Sequence, residues 1–139
     1  MSSSSDELAA TSAARHEDEV ESQLRDISRA MVRLYKEQFG RGPESVWTRY
    51  SGPDCIISIL GNSLTPVERS LREMGEEQRL RDIRTMFQHA TEQAFRAAIE
   101  EITGRRVIGF MSGIDVHNDL SSEVFTLEPR HANGVPATE

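Results

Sequence analysis

A single cysteine, Cys55, stands in 139 residues, so no intrachain disulfide can form and a reducing compartment suits the chain. Aromatic residues make up only 6% of the chain, which leaves a thin, largely aliphatic core. No apolar run approaches the ~18 residues that a membrane span needs. The first residues, four serines and two acids among them, lack the positive charge and apolar stretch of a signal peptide. These absences predict a cytosolic protein. Lysine is nearly absent too: fifteen of the sixteen basic residues are arginine, which reads as compositional bias rather than function. The net basic surface required for general nucleic-acid binding is also missing, since the formal charge is −7. Most of that charge lies in residues 1–23, where Asp6, Glu7, Glu17, Asp18, Glu19 and Glu21 face only Arg15.

What remains is one domain's worth of patterned sequence. Residues 1–15 are small, polar and acidic, and are expected to form a disordered tail; residues 130–139 are expected to form another. Between them, residues 16–129 make a single domain. Val20, Leu24, Ile27, Met31 and Leu34 step by four and three, one continuous helical stripe that runs to Phe39. Gly40, Arg41, Gly42 and Pro43 stop that helix, because glycine adopts the left-handed terminating conformation and proline prevents resumption. Two strands follow, 46–50 and 55–60, split by Ser51-Gly52-Pro53-Asp54. The second is apolar on both faces and belongs inside a sheet, with Cys55 as an inert core thiol.

Thr65, Pro66 and Glu68 give a helix start with hydroxyl cap, first-turn proline and reciprocal glutamate. That helix is short and ends near Gly75. A longer one runs over 76–102, with Leu80, Ile83, Phe87, Ala90, Ala94 and Ala97 on one face, flanked by Met86, Phe95, Ala98 and Ile102, and Gly104 caps it. Strands over 106–116 and 123–127 close the order helix-strand-strand-helix-helix-strand-strand. The expected fold is α+β, an antiparallel sheet of about four strands with helices packed on one face.

Few residues offer chemistry. Arg41 between its glycines invites a phosphate-loop reading, but the segment runs from helix towards strand, the reverse of a phosphate loop. A structural turn is the simpler reading, with an anion contact by Arg41 as the alternative. Asp115 and His117 sit in a hairpin turn without a second histidine or cysteine cluster nearby, so no metal is expected. Arg69, Arg72, Arg79, Arg81 and Arg84 alternate with acids, as a solvated ion-pair face does, or else form a docking surface for an acidic partner. No catalytic triad, isolated carboxylate pair or dinucleotide fingerprint is present.

The ordered set Gly40-Arg41-Gly42-Pro43, Leu64-Thr65-Pro66-Val67-Glu68, Leu71, Thr103-Gly104-Arg105, Val107 and Asp115 resembles a bacterial and archaeal family. That family is labelled after the C component of a sodium-translocating, membrane-potential-generating system (MpsC-like), and the resemblance spans about residues 22–129. It implies a cytosolic, non-catalytic accessory or regulatory domain of a membrane sodium or bicarbonate transport system, with no cofactor and a membrane transporter subunit as partner. The residue pattern keeps two alternatives open: a small-molecule sensor with a pocket between the sheet and the 80–102 helix, and an enzyme using Arg41, Asp115 or His117. A homodimer is expected, formed through the apolar stripe of the first helix around Val20 to Ile27.

Overall fold

A computed structural model describes residues 3–130. Seven elements follow one another: α1 (Ser3–Phe39), β1 (Ser45–Tyr50), β2 (Cys55–Gly61), α2 (Pro66–Glu73), α3 (Glu77–Thr103), β3 (Val107–Asp115) and β4 (Leu120–Leu127). The strands form one antiparallel sheet in the order β1-β2-β4-β3. The fold is α+β.

The sheet has two unlike faces. On the inner face Ile56, Leu60, Phe125 and Leu127 pack against Ile27, Met31 and Tyr35 of α1 and Phe95 and Ile99 of α3. The apolar stripe of α1 therefore serves the domain's own core from Ile27 onwards. Gly40 ends α1 at φ +82° and Gly104 ends α3 at φ +67°, left-handed positions that favour glycine. A smaller cluster of Leu64, Leu80 and Val116 sits where α2 and α3 meet the β3–β4 turn.

Three expectations need correction. Residues 3–15 are helical rather than disordered, although their side chains from Ser4 on are all exposed. Once the packed segment has nucleated a helix, Ala and Glu extend it with little tertiary help. Cys55 is half-buried and lies outside the core, on the outer sheet face. The buried line of α3 is Leu80, Arg84, Phe95, Ala98 and Ile99, while Ala90, Ala94 and Ala97 are exposed. That buried line places Phe95, Ala98 and Ile99 in the main core and brings Arg84 inward, where it pairs with Glu68. Residues 131–139, most of the expected C-terminal tail, lie outside the described residues.

The arginines are engaged in holding the backbone. Arg41, Arg72, Arg84, Arg96 and Arg105 each donate to a main-chain carbonyl, those of Leu64, Val116, Ser63, Val107 and Pro53 respectively. A planar guanidinium with five donors suits this pinning better than an ammonium does.

Candidate functional site

The register of the sheet lines up one polar residue from each strand across the buried face. Thr48 lies opposite Ser58, Ser58 opposite Glu123, and Glu123 opposite Ser112. An apolar row, Ile56, Phe125 and Phe110, flanks it on one side. At the β1 end the row is satisfied by hydroxyls alone: Ser28 donates to Thr48 at 2.8 Å, and Thr48 and Ser58 share a hydrogen bond at 2.9 Å. At the other end stands a carboxyl group. Glu123 is 3% exposed, and its Oε1 accepts hydrogen bonds from Tyr35 Oη at 2.7 Å and Ser112 Oγ at 2.9 Å. Its Oε2 is buried and has no hydrogen-bond partner.

Glu123 lines a cavity of about 190 Å³ between the sheet, α1 and α3. That is room for several ordered waters or a small ligand. Phe95 and Phe110 supply an apolar wall, Gln38 and Gln88 supply amides, and Arg81 and Arg84 supply positive charge. Arg84 is 8% exposed. Its Nε and Nη2 donate to Glu68 at 2.5 and 2.7 Å, and the guanidinium lies 3.8 Å from the centre of the Phe39 ring. Glu68 also closes the reciprocal cap of α2: it accepts from the Thr65 N–H at 2.9 Å, while Thr65 Oγ1 accepts from the Glu68 N–H at 3.2 Å. One carboxylate thus ties the start of α2 to the cavity wall.

The electrostatics of the two carboxyls are opposite. Burial pushes the Glu123 pKa up to about 7, although hydrogen bonds from Tyr35 and Ser112 and the Arg84 charge pull against it. Burial also opposes ionisation of Glu68, but the Arg84 and Thr65 hydrogen bonds prevail and lower its pKa. The Tyr35 phenol is held well above its ordinary value by burial and by Glu123, so it remains a donor at physiological pH. Near neutrality Glu123 therefore changes between a neutral acid and a charged acceptor at the cavity wall.

A profile of the family described as "Na+-translocating membrane potential-generating system (MpsC)" matches residues 19–129, four-fifths of the chain. The chain belongs to the MpsC family. No curated protein and no solved structure matches it. Among the described residues of this MpsC-family chain, no helix is long and apolar enough to cross a membrane.

The structure distributes the sequence-derived candidates elsewhere. Arg41 Nη1 donates to the Leu64 carbonyl at 2.6 Å, and Nη2 lies 3.8 Å from Glu44. Gly42 packs so closely on Val32 that an added Cβ would sit 3.1 Å from Cγ1, so the Gly40–Pro43 segment is shaped by packing. Arg69 donates to Asn62 Oδ1 and Arg72 to the Val116 carbonyl. Asp115 is fully exposed and caps the turn through Asn118, whose hydrogen bonds lower its pKa; His117 is exposed in the same turn. Arg41, Arg69, Arg72, Asp115 and His117 do not converge on the cavity. Among the described residues no group of three or more His, Cys, Asp or Glu is placed to hold a metal.

Sequence reasoning missed Tyr35, Glu123 and the inward role of Arg84. One signal was available: Thr48, Ser58, Ser112 and Glu123 each interrupt the apolar side of a strand. Their convergence depends on register, which no single strand reveals.

Proposed function

We propose that this MpsC-family chain is a cytosolic, non-catalytic accessory domain of a sodium-translocating membrane system, and that it responds to a small molecule bound in the Glu123 cavity. The family description supports the membrane system. Without a spanning helix in the described residues, the ion path would belong to other subunits, because a bilayer core requires a self-satisfied backbone. The observation that carries the sensing role is the cavity itself, lined by the buried Glu123 and by the convergent polar groups of Gln38, Gln88, Arg81 and Arg84. The volume fits a ligand smaller than most drug-sized molecules, with polar groups for the Gln38 and Gln88 amides and a flat or apolar part for Phe95 and Phe110.

Affinity capture from native cells tests both halves. An integral membrane transport subunit is expected in the captured material, and a small molecule is expected to be released on denaturation of wild type but not of Glu123→Gln. Capture of soluble enzymes alone would overturn the accessory role. A cavity that retains nothing, and whose Tyr35 and Phe95 NMR signals do not move with small amines, amides or alcohols, would overturn the sensing role.

A further inference from the structure

The outer face of the sheet carries a second, unrelated feature. Trp47 of β1, Ile57 and Ile59 of β2, Met111 of β3, and Val124 and Leu120 of β4 all point away from the helices. Trp47 is 48% exposed, Met111 61% and Leu120 44%. Four strands at ~4.8 Å spacing and seven residues at ~3.3 Å rise make a face of roughly 440 Å² before side-chain relief is counted. Two such faces pressed together approach the ~1,000 Å² total that marks a specific interface.

We propose that this outer face binds the same face of a second copy of the chain, sheet on sheet. Two observations favour self-association over a foreign partner. First, the face is electrically balanced although the chain is acidic: its strand residues include one cation, Arg49 on β1, and one anion, Asp115 on β3. A patch of net zero charge can meet itself without repulsion. Second, its relief is self-complementary. One cross-strand row runs Trp47, Ile59, Ser122, Gly113, tall at the β1 edge and flat at the β3 edge. A two-fold axis along the strands, between β2 and β4, lays Trp47 of one copy over Gly113 of the other. The same axis lays Arg49 of one copy over Met111 of the other, and Ser45 over Asp115, so no like charges meet. Each copy makes every such contact once, as a two-fold interface requires.

The interface differs from the one expected on α1. Leu24 and Ser28 line a groove with Val46 and Trp47, and the helix beyond it is studded with acids that would repel their own copies.

Light scattering of the full chain at micromolar concentration should give twice the 15.6 kDa chain mass. Met111→Glu should weaken the dimer by at least ~30-fold, the size of a buried hot-spot loss. Val20→Glu on α1 and Met86→Glu on α3 should leave the dimer intact. Trp47 is the sole tryptophan, so its emission should shift to the red on dilution, with far-UV circular dichroism unchanged. Should Met111→Glu fail to fold, Trp47→Glu on the exposed β1 edge decides: it should weaken the dimer by a similar factor. A wild-type mass of one chain overturns the proposal. So does a dimer that survives Met111→Glu or Trp47→Glu but is lost in Val20→Glu.

Discussion

Glu123 holds its charge where burial opposes it, and that gives a pH dependence with a definite sign. Its pKa in the folded chain is about 7, above its ordinary 4.5. Below pH 4.5 both states are protonated and the group contributes nothing. Between 4.5 and 7 the unfolded chain ionises first, so stability falls as pH rises; above 7 the full loss is present, on the order of 3 kcal/mol. Glu123→Gln keeps an acceptor for Tyr35 and removes the titration. Urea unfolding at pH 5 to 8 should show a declining midpoint for wild type and a flat one for the variant. Glu68 works in the opposite direction: its lowered pKa stabilises the fold above pH 4.5 and that contribution is lost as pH falls through the lowered value. Its partner is therefore sensitive to truncation. Arg84→Ala should cost about 3–5 kcal/mol, because a buried carboxylate is left uncompensated. Thr65→Ala should cost about 0.5–2 kcal/mol through the cap alone. Denaturant titration of both variants checks the contrast.

Among the elements, α1 is two helices in energetic terms. Its second half builds the core through Ile27, Met31 and Tyr35, whereas side chains 4–19 are all exposed. Deleting residues 1–15 should remove far-UV ellipticity in proportion to the lost turns and leave the melting temperature nearly unchanged. A fall of many degrees would show that the segment docks. Element order and most boundaries were legible in the sequence because local signals mark them: Gly40 and Gly104 stop helices, Thr65, Pro66 and Glu68 start one, and Ser51-Gly52-Pro53-Asp54 turns a hairpin. The face of α3 was not legible. Periodicity treats Arg84 as polar and outward, and only its pairing with Glu68, sixteen residues earlier, makes the inward position tolerable. The start of α1 is not legible because residues 3–19 carry no core-facing stripe, and helix propensity alone extends the element. The candidate site was illegible for a further reason: Tyr35 and Glu123 are 88 residues apart and meet only through the tertiary fold.

At the scale of the whole molecule, the two faces of the sheet divide the work proposed above. The inner face encloses the Glu123 cavity, and the outer face offers a surface to a second copy. Coupling of folding to association follows from mass action: the melting temperature of wild type should rise with protein concentration, and that of Met111→Glu should not. A concentration-independent melting temperature in both would count against the dimer. Because ligand and second copy would approach from opposite sides of a four-stranded layer, occupancy of the cavity should not require the dimer to open.

The polar row across the inner face has a consequence for folding. Alternation of apolar and polar residues guards a sheet against a one-residue slip, which turns every side chain to the wrong face. It is blind to a slip of two residues, which restores the alternation. In this sheet such a slip would set Glu123 beside Ile56 or Leu60 in place of Ser58. It would also carry the carboxyl away from Tyr35 and Ser112, and a buried group deprived of its donors is strongly penalised. The row therefore acts as a key that fits one pairing of the strands, rejecting misaligned sheets that hydrophobic burial alone would accept.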